Sequence, residues 1–280
     1  MENRETKVQL VAHFIEHMLS KQNAQDFLRH FCVPFKSTDS LKKLAGAYMD
    51  HSDKVSYEDA CACARGIWTG TDMDLHIKNL KSGLLVGHSW HKASPSFLHR
   101  CLQDKVRDYS KGKIQLKELL DIGRDIMKHE YFMTATHDLC ESAIISHFQD
   151  TVPPKKSKSI TDFIFKCVPV DLKVTCYPEK KNEGDIDWSL IAGNLTLEQK
   201  KELLTQLYGA ADSERLQKNA NKCQNNWGFN RMYVLVKNQE DWLNDPEAVI
   251  AKILKKLEEV DKPYCINING FDINFFLVEV

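Results

Sequence analysis

Apolar positions recur every three or four residues through most of the first 150 residues, which is the spacing of amphipathic helices. Serines and threonines of the kind that cap helices precede two of these segments, at Thr38-Asp-Ser and at Ser56. The predicted helices cover residues 8–18, 41–48, 56–68, 98–109, 116–127 and 134–148. Residues 75–95 show no clear period, so no element is predicted there.

The period changes after residue 150. Two prolines with serine and lysine in TVPPKKSKS predict a loop, and short alternating runs beyond it predict strands. The predicted strands cover residues 160–167, 170–177, 232–236, 266–268 and 275–278. The predicted helices cover 197–208 and 246–260, and a polar stretch lies at 212–226. This order predicts an α/β fold with a central mixed sheet flanked by helices over residues 131–280, preceded by a mostly helical region over residues 1–130.

Composition narrows the class of protein. The 280 residues are 42% apolar, contain no apolar run of 18 residues and begin with a polar segment unlike a signal peptide. We therefore expect a cytoplasmic protein with no membrane partner. The nine cysteines lack a CxxC pair and are expected to be reduced thiols. His13 with His17 and His88 with His91 have metal-ligand spacings, but neither pair has a matching second pair of ligands.

Charge is distributed unevenly along a chain whose net charge is only −1. Residues 151–182 contain seven lysines and three acidic residues, a local net charge of +4. A basic segment of this kind suits an anionic substrate. The alternative is that its lysine run, at Lys155, Lys156 and Lys158, is simply solvated.

The same basic segment contains Asp162 and the triplet Asp171-Leu-Lys173. Residues two apart on a strand project from the same face, with Cα atoms about 7 Å apart, so Asp171 and Lys173 should lie side by side. A hairpin that turns at Cys167-Val168 would place Asp162 across from Lys173 and diagonal to Asp171. The triplet alone is weak evidence, because several acid-x-Lys triplets are expected by chance in this composition.

Two converging carboxylates suit a hard divalent cation such as Mg²⁺, for which Mn²⁺ can substitute. A neighbouring lysine can orient or help to deprotonate an attacking water, as metal-assisted phosphodiester hydrolysis requires. Glu141, on the helix before the first strand, is the candidate third carboxylate, and Asp138 is its alternative on that helix. The competing interpretation is an exposed Asp171–Lys173 pair with Asp162 as a turn residue.

These residues resemble the active site of the PD-(D/E)xK nuclease superfamily, to which many type II restriction endonucleases belong. Asp162 matches the first acid, Asp171 the second acid and Lys173 the lysine, while Thr161 replaces the usual proline. The resemblance covers about residues 134–240. It implies a Mg²⁺-dependent endonuclease of the restriction type that cleaves double-stranded DNA as a homodimer, leaving a 5′-phosphate and a 3′-hydroxyl.

Other polar residues are candidates for nucleic-acid contacts. Arg215 is the best candidate for a phosphate clamp, Lys218 lies in the same polar stretch, and Arg231 opens the strand NRMYVLV. Arg231 could instead pair with an acidic neighbour, and the polar stretch could be a solvated loop. Residues 89–100 could form a DNA-reading loop or a connector.

Two other functional classes stay open. One is a helical binding or scaffolding protein whose α/β region has no activity; in it, Asp162, Asp171 and Lys173 would point separately into solvent. The other is a nuclease of the same fold with a repair or defence role.

Overall fold

The computed structural model describes residues 4–68, 70–82, 95–153, 161–178, 180, 183–219 and 226–280. Its first part is helical, as predicted. Serine side chains cap α2, α3 and α4, and at α4 Ser56 forms a reciprocal capping box with Asp59. The helices are α1 (Arg4–His13), continued by a π-helical turn (Phe14–Met18), α2 (Lys21–His30), α3 (Leu41–Met49), α4 (Tyr57–Ile67), α5 (Met73–Lys81), α6 (Pro95–Ser110) and α7 (Leu116–His147).

The second part is built around a five-stranded mixed sheet, which confirms the predicted α/β class. The strands are β1 (Phe163–Phe165), β2 (Val168–Thr175), β3 (Arg231–Leu235), β4 (Tyr264–Ile268) and β5 (Phe271–Glu279), in the order β1-β2-β3-β5-β4. The two inner pairings are parallel and the two outer pairings antiparallel. The remaining helices are α8 (Trp188–Ile191), α9 (Leu197–Asn219), α10 (Glu240–Asn244) and α11 (Pro246–Glu259).

Apolar side chains of the described residues form three clusters. One joins α5, α7, α10 and α11 to one face of the sheet, and includes Leu172 and Val234. A second joins α8 and α9 to the other face, and includes Tyr233 and Phe275. The third holds the N-terminal helices α1–α4 together and extends to Ile164 of β1. Successive residues of β1 therefore belong to different clusters, because neighbouring side chains on a strand point to opposite faces.

The helix predictions need several corrections, since no helix was predicted for α2, α5, α8 or α10. A single helix, α7, replaces the two predicted over 116–127 and 134–148, because Phe132 and His129 are buried between them and hold the helix together. Helix α9 extends through residues 212–219, part of the polar stretch for which no helix was predicted, after a break at Gly209 with φ 66° and ψ 175°. The proposed boundary near residue 130 falls inside α7.

The β1–β2 turn also differs from the prediction. It is made by Lys166 and Cys167, one residue earlier than expected, and both residues have positive φ (45° and 61°), as a type I′ turn requires. The ammonium of Lys166 donates to the carbonyls of Leu257 (3.1 Å) and Val260, which anchors a turn that lacks the usual glycine. The new register, Phe163 opposite Val170, places Asp162 opposite Asp171 and not opposite Lys173.

Several predictions concern residues outside the described ranges, namely the lysines at 155, 156 and 158, the histidines at 88 and 91, and most of the segment 89–100. No helix in the ranges described is both long and apolar enough to cross a membrane.

Candidate active site

The predicted acid and lysine residues lie at the edge of the sheet formed by β1 and β2. Strand β2 alternates as expected, because Val170 and Leu172 are fully buried while Asp171 and Lys173 project from the other face. Asp162 immediately precedes β1, and Glu141 lies on α7, which packs against β2. Sequence-distant carboxylates are thus held by elements that pack directly against one another.

The hairpin fixes the Asp162 carboxylate firmly. The Asp162 N–H donates to the carbonyl of Val170 at 2.8 Å, and its own Oδ2 accepts the N–H of Leu172 at 2.6 Å. The same Oδ2 lies 3.4 Å from Nε2 of His137 on α7. Oδ2 of Asp162, at the start of β1, therefore contacts both the middle of β2 and the neighbouring helix α7. A quarter (25%) of the Asp162 side chain stays exposed.

His137 is the residue of this site that the sequence interpretation missed. Its Nδ1 lies 3.8 Å from Oε2 of Glu141, one helical turn away, and 3.5 Å from Oδ1 of Asp138. His137, Glu141 and Asp162 each offer one ligand atom, and these atoms lie within 4.8 Å of one another. The i,i+4 spacing of His137 and Glu141 was the available signal, but that spacing alone is common on helix surfaces.

Asp171 has different partners. Its Oδ2 lies 2.9 Å from Nζ of Lys173 and 3.2 Å from Nε of Arg231, which is directly opposite it on β3. Arg231 also contacts Asp212 of α9 at 3.3 Å, and its guanidinium lies over the ring of Tyr208 at 5.5 Å. Asp171 is therefore paired with two cations, whereas the imidazole of His137 lies within 4.0 Å of both Asp162 and Glu141.

Arg231 is not placed to contact DNA. Its side chain is 1% exposed and is occupied by Asp171 and Asp212. Of the two alternatives drawn from the sequence, the acidic pairing is the one observed. The side chain is buried because β3 is a central strand with covered faces, a position that the local sequence did not reveal.

Asn230, just before β3, holds the strand ends in register. Its amide nitrogen donates to the carbonyl of Pro169 at 3.0 Å, and its amide oxygen accepts the N–H of Asn274 at 2.9 Å. Its own carbonyl accepts the N–H of Asp171 at 3.1 Å. A buried side chain thus connects β2, β3 and β5 beside the candidate site and makes the position of Asp171 rigid.

The electrostatics of the cluster reflect burial and crowding of like charges. Burial, reinforced by the charges of Asp162 and Asp138, raises the pKa of Glu141 to about 7. Burial would lower the pKa of His137, but its contacts with Asp138 and Asp162 and the charge of Glu141 outweigh burial and raise it to about 10. Once Glu141 loses its proton, the carboxylates of Glu141 and Asp162 carry two negative charges, and His137 can offset only one of them.

The two aspartates respond in opposite directions. Burial favours the neutral form of Asp162, but His137, the N–H of Leu172 and Lys173 together lower its pKa below the usual range. Burial raises the pKa of Asp171, and Arg231 and Lys173 offset that only in part. Paired carboxylates whose pKa values are pushed apart are typical of sites that handle charge or protons, although structural ion pairs produce the same effect.

The donor set fits a divalent cation at Asp162 and Glu141. Carboxylate oxygens suit Mg²⁺ and Mn²⁺, and the imidazole nitrogen of His137 is a further donor beside them. Asp171 is adjacent, but both of its oxygens already contact Lys173, at 3.1 and 2.9 Å. His13 and His17, whose spacing in the sequence would suit a metal, have ring centroids 4.8 Å apart but do not belong to a group of three or more ligands among the described residues.

The two remaining nucleic-acid candidates lie on α9, beyond its break. Arg215 and Lys218 are exposed, and Lys218 forms an ion pair with Glu214 at 2.6 Å. Asp212 of the same segment holds Arg231, so this part of α9 runs beside the candidate site.

Comparison of the chain with models of protein families, with curated proteins and with solved structures found no match.

Proposed function

We propose that this protein is a metal-dependent endonuclease that hydrolyses phosphodiester bonds in double-stranded DNA, with a core of the PD-(D/E)xK type. The observation that carries the proposal is the meeting of Asp162, Asp171 and Lys173 at one sheet edge, with Glu141 of α7 beside Asp162. Restriction of foreign DNA is the role that we propose for it.

Asp162 and Glu141 would hold the cation, with Asp171 beside them. When bound, Mg²⁺, or Mn²⁺ in its place, supplies positive charge that polarises the scissile phosphate. The rigid hairpin holds the Asp162 carboxylate, and α7 holds that of Glu141. Held in this way, the two carboxylates would need little rearrangement to bind the ion, which favours tight binding.

Lys173 is the proposed positioning and activating group for the attacking water. Its ammonium lies beside Asp171, and close to half of its side chain (46%) is exposed, so the residue is accessible to a substrate from solvent. It would orient the water and offset the negative charge that develops on the phosphate. The water oxygen bonds to phosphorus as the bond to the 3′-oxygen breaks. The water loses a proton to solvent and the departing 3′-oxygen takes one up, which yields a 5′-phosphate and a 3′-hydroxyl.

The exposed cations of α9 are the proposed phosphate contacts. Arg215 and Lys218 lie on the segment that reaches the site through Asp212, so a DNA backbone entering the site would pass near them. A homodimer belongs to the proposal because cutting both strands at one place needs two sites. The apolar side chains exposed on α7, Leu116, Leu120 and Met127, offer a surface for the second copy.

The binding-protein alternative expects the three motif residues to point separately into solvent. Only 20% of the Asp171 side chain and 25% of the Asp162 side chain are exposed, and both are engaged by cationic partners. This arrangement supports the nuclease over a scaffold.

Cleavage of supercoiled, unmethylated DNA tests the proposal. We expect the wild-type protein with Mg²⁺ or Mn²⁺ to convert plasmid to nicked and linear forms, and to give discrete fragments from phage DNA. Asp162→Asn and Lys173→Met should each lower the rate at least about 100-fold, because each removes a group needed for ion binding or for positioning the water. EDTA should abolish cleavage.

Glu198→Gln and Lys201→Met are the matched controls, since they remove an acid and a lysine from an exposed pair on α9. Both should cleave at the wild-type rate. Smeared products that depend on Asp162 would retain the site but favour a repair or general defence nuclease. Absence of cleavage by folded protein with either ion would favour the binding protein.

A further inference from the structure

His137 stands between the two carboxylates proposed to bind the cation. Its Nε2 is 3.4 Å from Oδ2 of Asp162, and its Nδ1 is 3.8 Å from Oε2 of Glu141. Two ligand atoms bound about 2.1 Å from one ion are separated by roughly 3 to 3.5 Å in octahedral or tetrahedral geometry. The separation of His137 and Asp162 already matches that of two ligands of a common ion.

The Nδ1 side of the imidazole, which contacts Glu141, also faces a third carboxylate. Asp138 Oδ1 lies 3.5 Å from Nδ1 of His137, while Asp138 Oδ2 lies 4.0 Å from Nε2 of His76 on α5. His76 is itself fixed by the hydroxyl of Tyr131, 3.0 Å from its Nδ1. A histidine that binds a metal through one nitrogen characteristically donates its other N–H to a carboxylate, which sets the tautomer and the orientation of the ring.

We propose that His137 binds, through Nε2, the same divalent cation as Asp162, with Asp138 as the carboxylate that positions its ring. Glu141, whose Oε2 lies 3.8 Å from Nδ1, belongs to the same group of ligand atoms, all within 4.8 Å of one another, and would turn towards Nε2 to complete the ligand set. The nitrogen ligand makes the site favour a first-row transition ion, for which Mn²⁺ is the probe, over Mg²⁺, because Mg²⁺ prefers ligand sets made entirely of oxygen. This inference rests on the proposed function for the identity of the site and refines its choice of metal.

Asp138 thereby acquires a role that differs from the one considered on sequence grounds. The sequence made Asp138 an alternative to Glu141 as a direct ligand. In the structure one Asp138 oxygen contacts Nδ1 of His137 and the other lies near His76. The structure makes it a positioning residue that acts through His137.

Binding of Mn²⁺ to the full-length protein tests the inference without relying on activity. Pulsed electron paramagnetic resonance of the bound Mn²⁺ should show coupling to a histidine ¹⁴N nucleus in wild type, and His137→Gln should abolish it. Mn²⁺ affinity should fall about 10- to 100-fold in His137→Gln and about 10-fold in Asp138→Asn. The ratio of Mn²⁺ to Mg²⁺ affinity should shrink in His137→Gln.

The matched control is His147→Gln, which removes another α7 histidine paired with a glutamate, Glu258 at 2.7 Å. It should leave both the affinity and the ¹⁴N coupling unchanged. Asp162→Asn should weaken Mn²⁺ binding, which assigns the bound ion to this site. Circular dichroism establishes that each variant is folded, and the wild-type spectrum alone already decides whether a histidine binds the ion.

The inference is overturned if Mn²⁺ binds wild type without ¹⁴N coupling, or if His137→Gln binds it as tightly as wild type. His137 would then be only a counter-ion for the two carboxylates. Its failure differs from failure of the proposed function: Mn²⁺ bound through oxygen alone with DNA still cleaved leaves the nuclease intact. Histidine-coupled Mn²⁺ with no cleavage leaves the metal site but removes the nuclease.

Discussion

A full positive charge on Arg231 lies in the interior of the sheet, between Asp171 and Asp212. A buried ion pair adds little net stability when it is complete, but removing one partner is costly because the remaining charge is desolvated and unpaired. Loss of Arg231 would leave the carboxylates of Asp171 and Asp212 without their shared cation, which would destabilise the protein. Arg231 also positions Asp171 next to the proposed metal ligands.

Replacing Arg231 by methionine should lower the free energy of unfolding by about 3 kcal/mol, since Asp171 and Asp212 lose their shared cation. Urea unfolding followed by circular dichroism measures the loss. Lys218→Met, which breaks only an exposed pair with Glu214, should change stability by no more than about 0.5 kcal/mol. Equal stabilities of the two variants would contradict the structural role assigned to Arg231.

At the scale of elements, two helical glycines have opposite backbone requirements. Gly209 breaks α9 with φ 66° and ψ 175°, a conformation that residues with a Cβ atom rarely adopt. Gly123 lies inside α7 with ordinary helical geometry, and a Cβ atom added there would meet no other part of the described chain within 4 Å, the backbone of its own helix aside. The break at Gly209 lets the second half of α9 turn and bring Asp212 to Arg231.

The same substitution should therefore have opposite effects at the two glycines. Gly123→Ala should stabilise the protein by about 0.5 to 1 kcal/mol, because alanine loses less conformational entropy in a helix. Gly209→Ala should destabilise it by about 1 to 3 kcal/mol, because the side chain strains the backbone. Thermal unfolding compared with wild type measures both changes, and stabilisation by Gly209→Ala would argue against the break in α9.

At the scale of the whole molecule, the N-terminal helices and the sheet share contacts. Ile164 of β1 packs into the cluster of α1–α4. His13 at the end of α1 approaches the hydroxyl of Thr161 at 3.5 Å and the ring of Trp227 at 5.2 Å. Thr161 directly precedes Asp162, so the helical region supports the hairpin that holds the candidate site.

This junction should make stability sensitive to acid. Burial, with the nearby charge of His17, lowers the pKa of His13 from 6.5 to about 3, so the unfolded chain binds this proton more readily than the folded one. Its contribution is present above pH 6.5 and is lost as the pH falls from 6.5 towards 3, with a slope of up to about 1.4 kcal/mol per pH unit.

His13→Gln removes that titration while keeping a polar group near Thr161. Free energies of unfolding, measured in urea from pH 8 to pH 4, should fall less steeply below pH 6.5 for His13→Gln than for wild type. Above pH 7 the two curves should run parallel, because all other titrating groups are common to both proteins. Parallel curves over the whole range would show that His13 is not held neutral at the junction.

Local patterns in the sequence determined much of the architecture. The alternation of Val170, Leu172 and their polar neighbours predicted β2 and the shared face of Asp171 and Lys173, because side chains on a strand alternate whatever surrounds it. Ser40 and Ser56 predicted helix starts, because capping needs only atoms within one turn. The change of period after residue 150 predicted a sheet flanked by helices behind a helical region.

Tertiary packing decided the rest. The turn at Lys166-Cys167 depends on carbonyls of Leu257 and Val260, about ninety residues away, and a shift of one residue moved Asp162 opposite Asp171. Packing between elements distant in the sequence also places His137 in the site and buries the side chain of Arg231. The packing of whole elements brings residues distant in the sequence into contact. The short-range periodicity of the sequence does not predict which of these residues will be in contact.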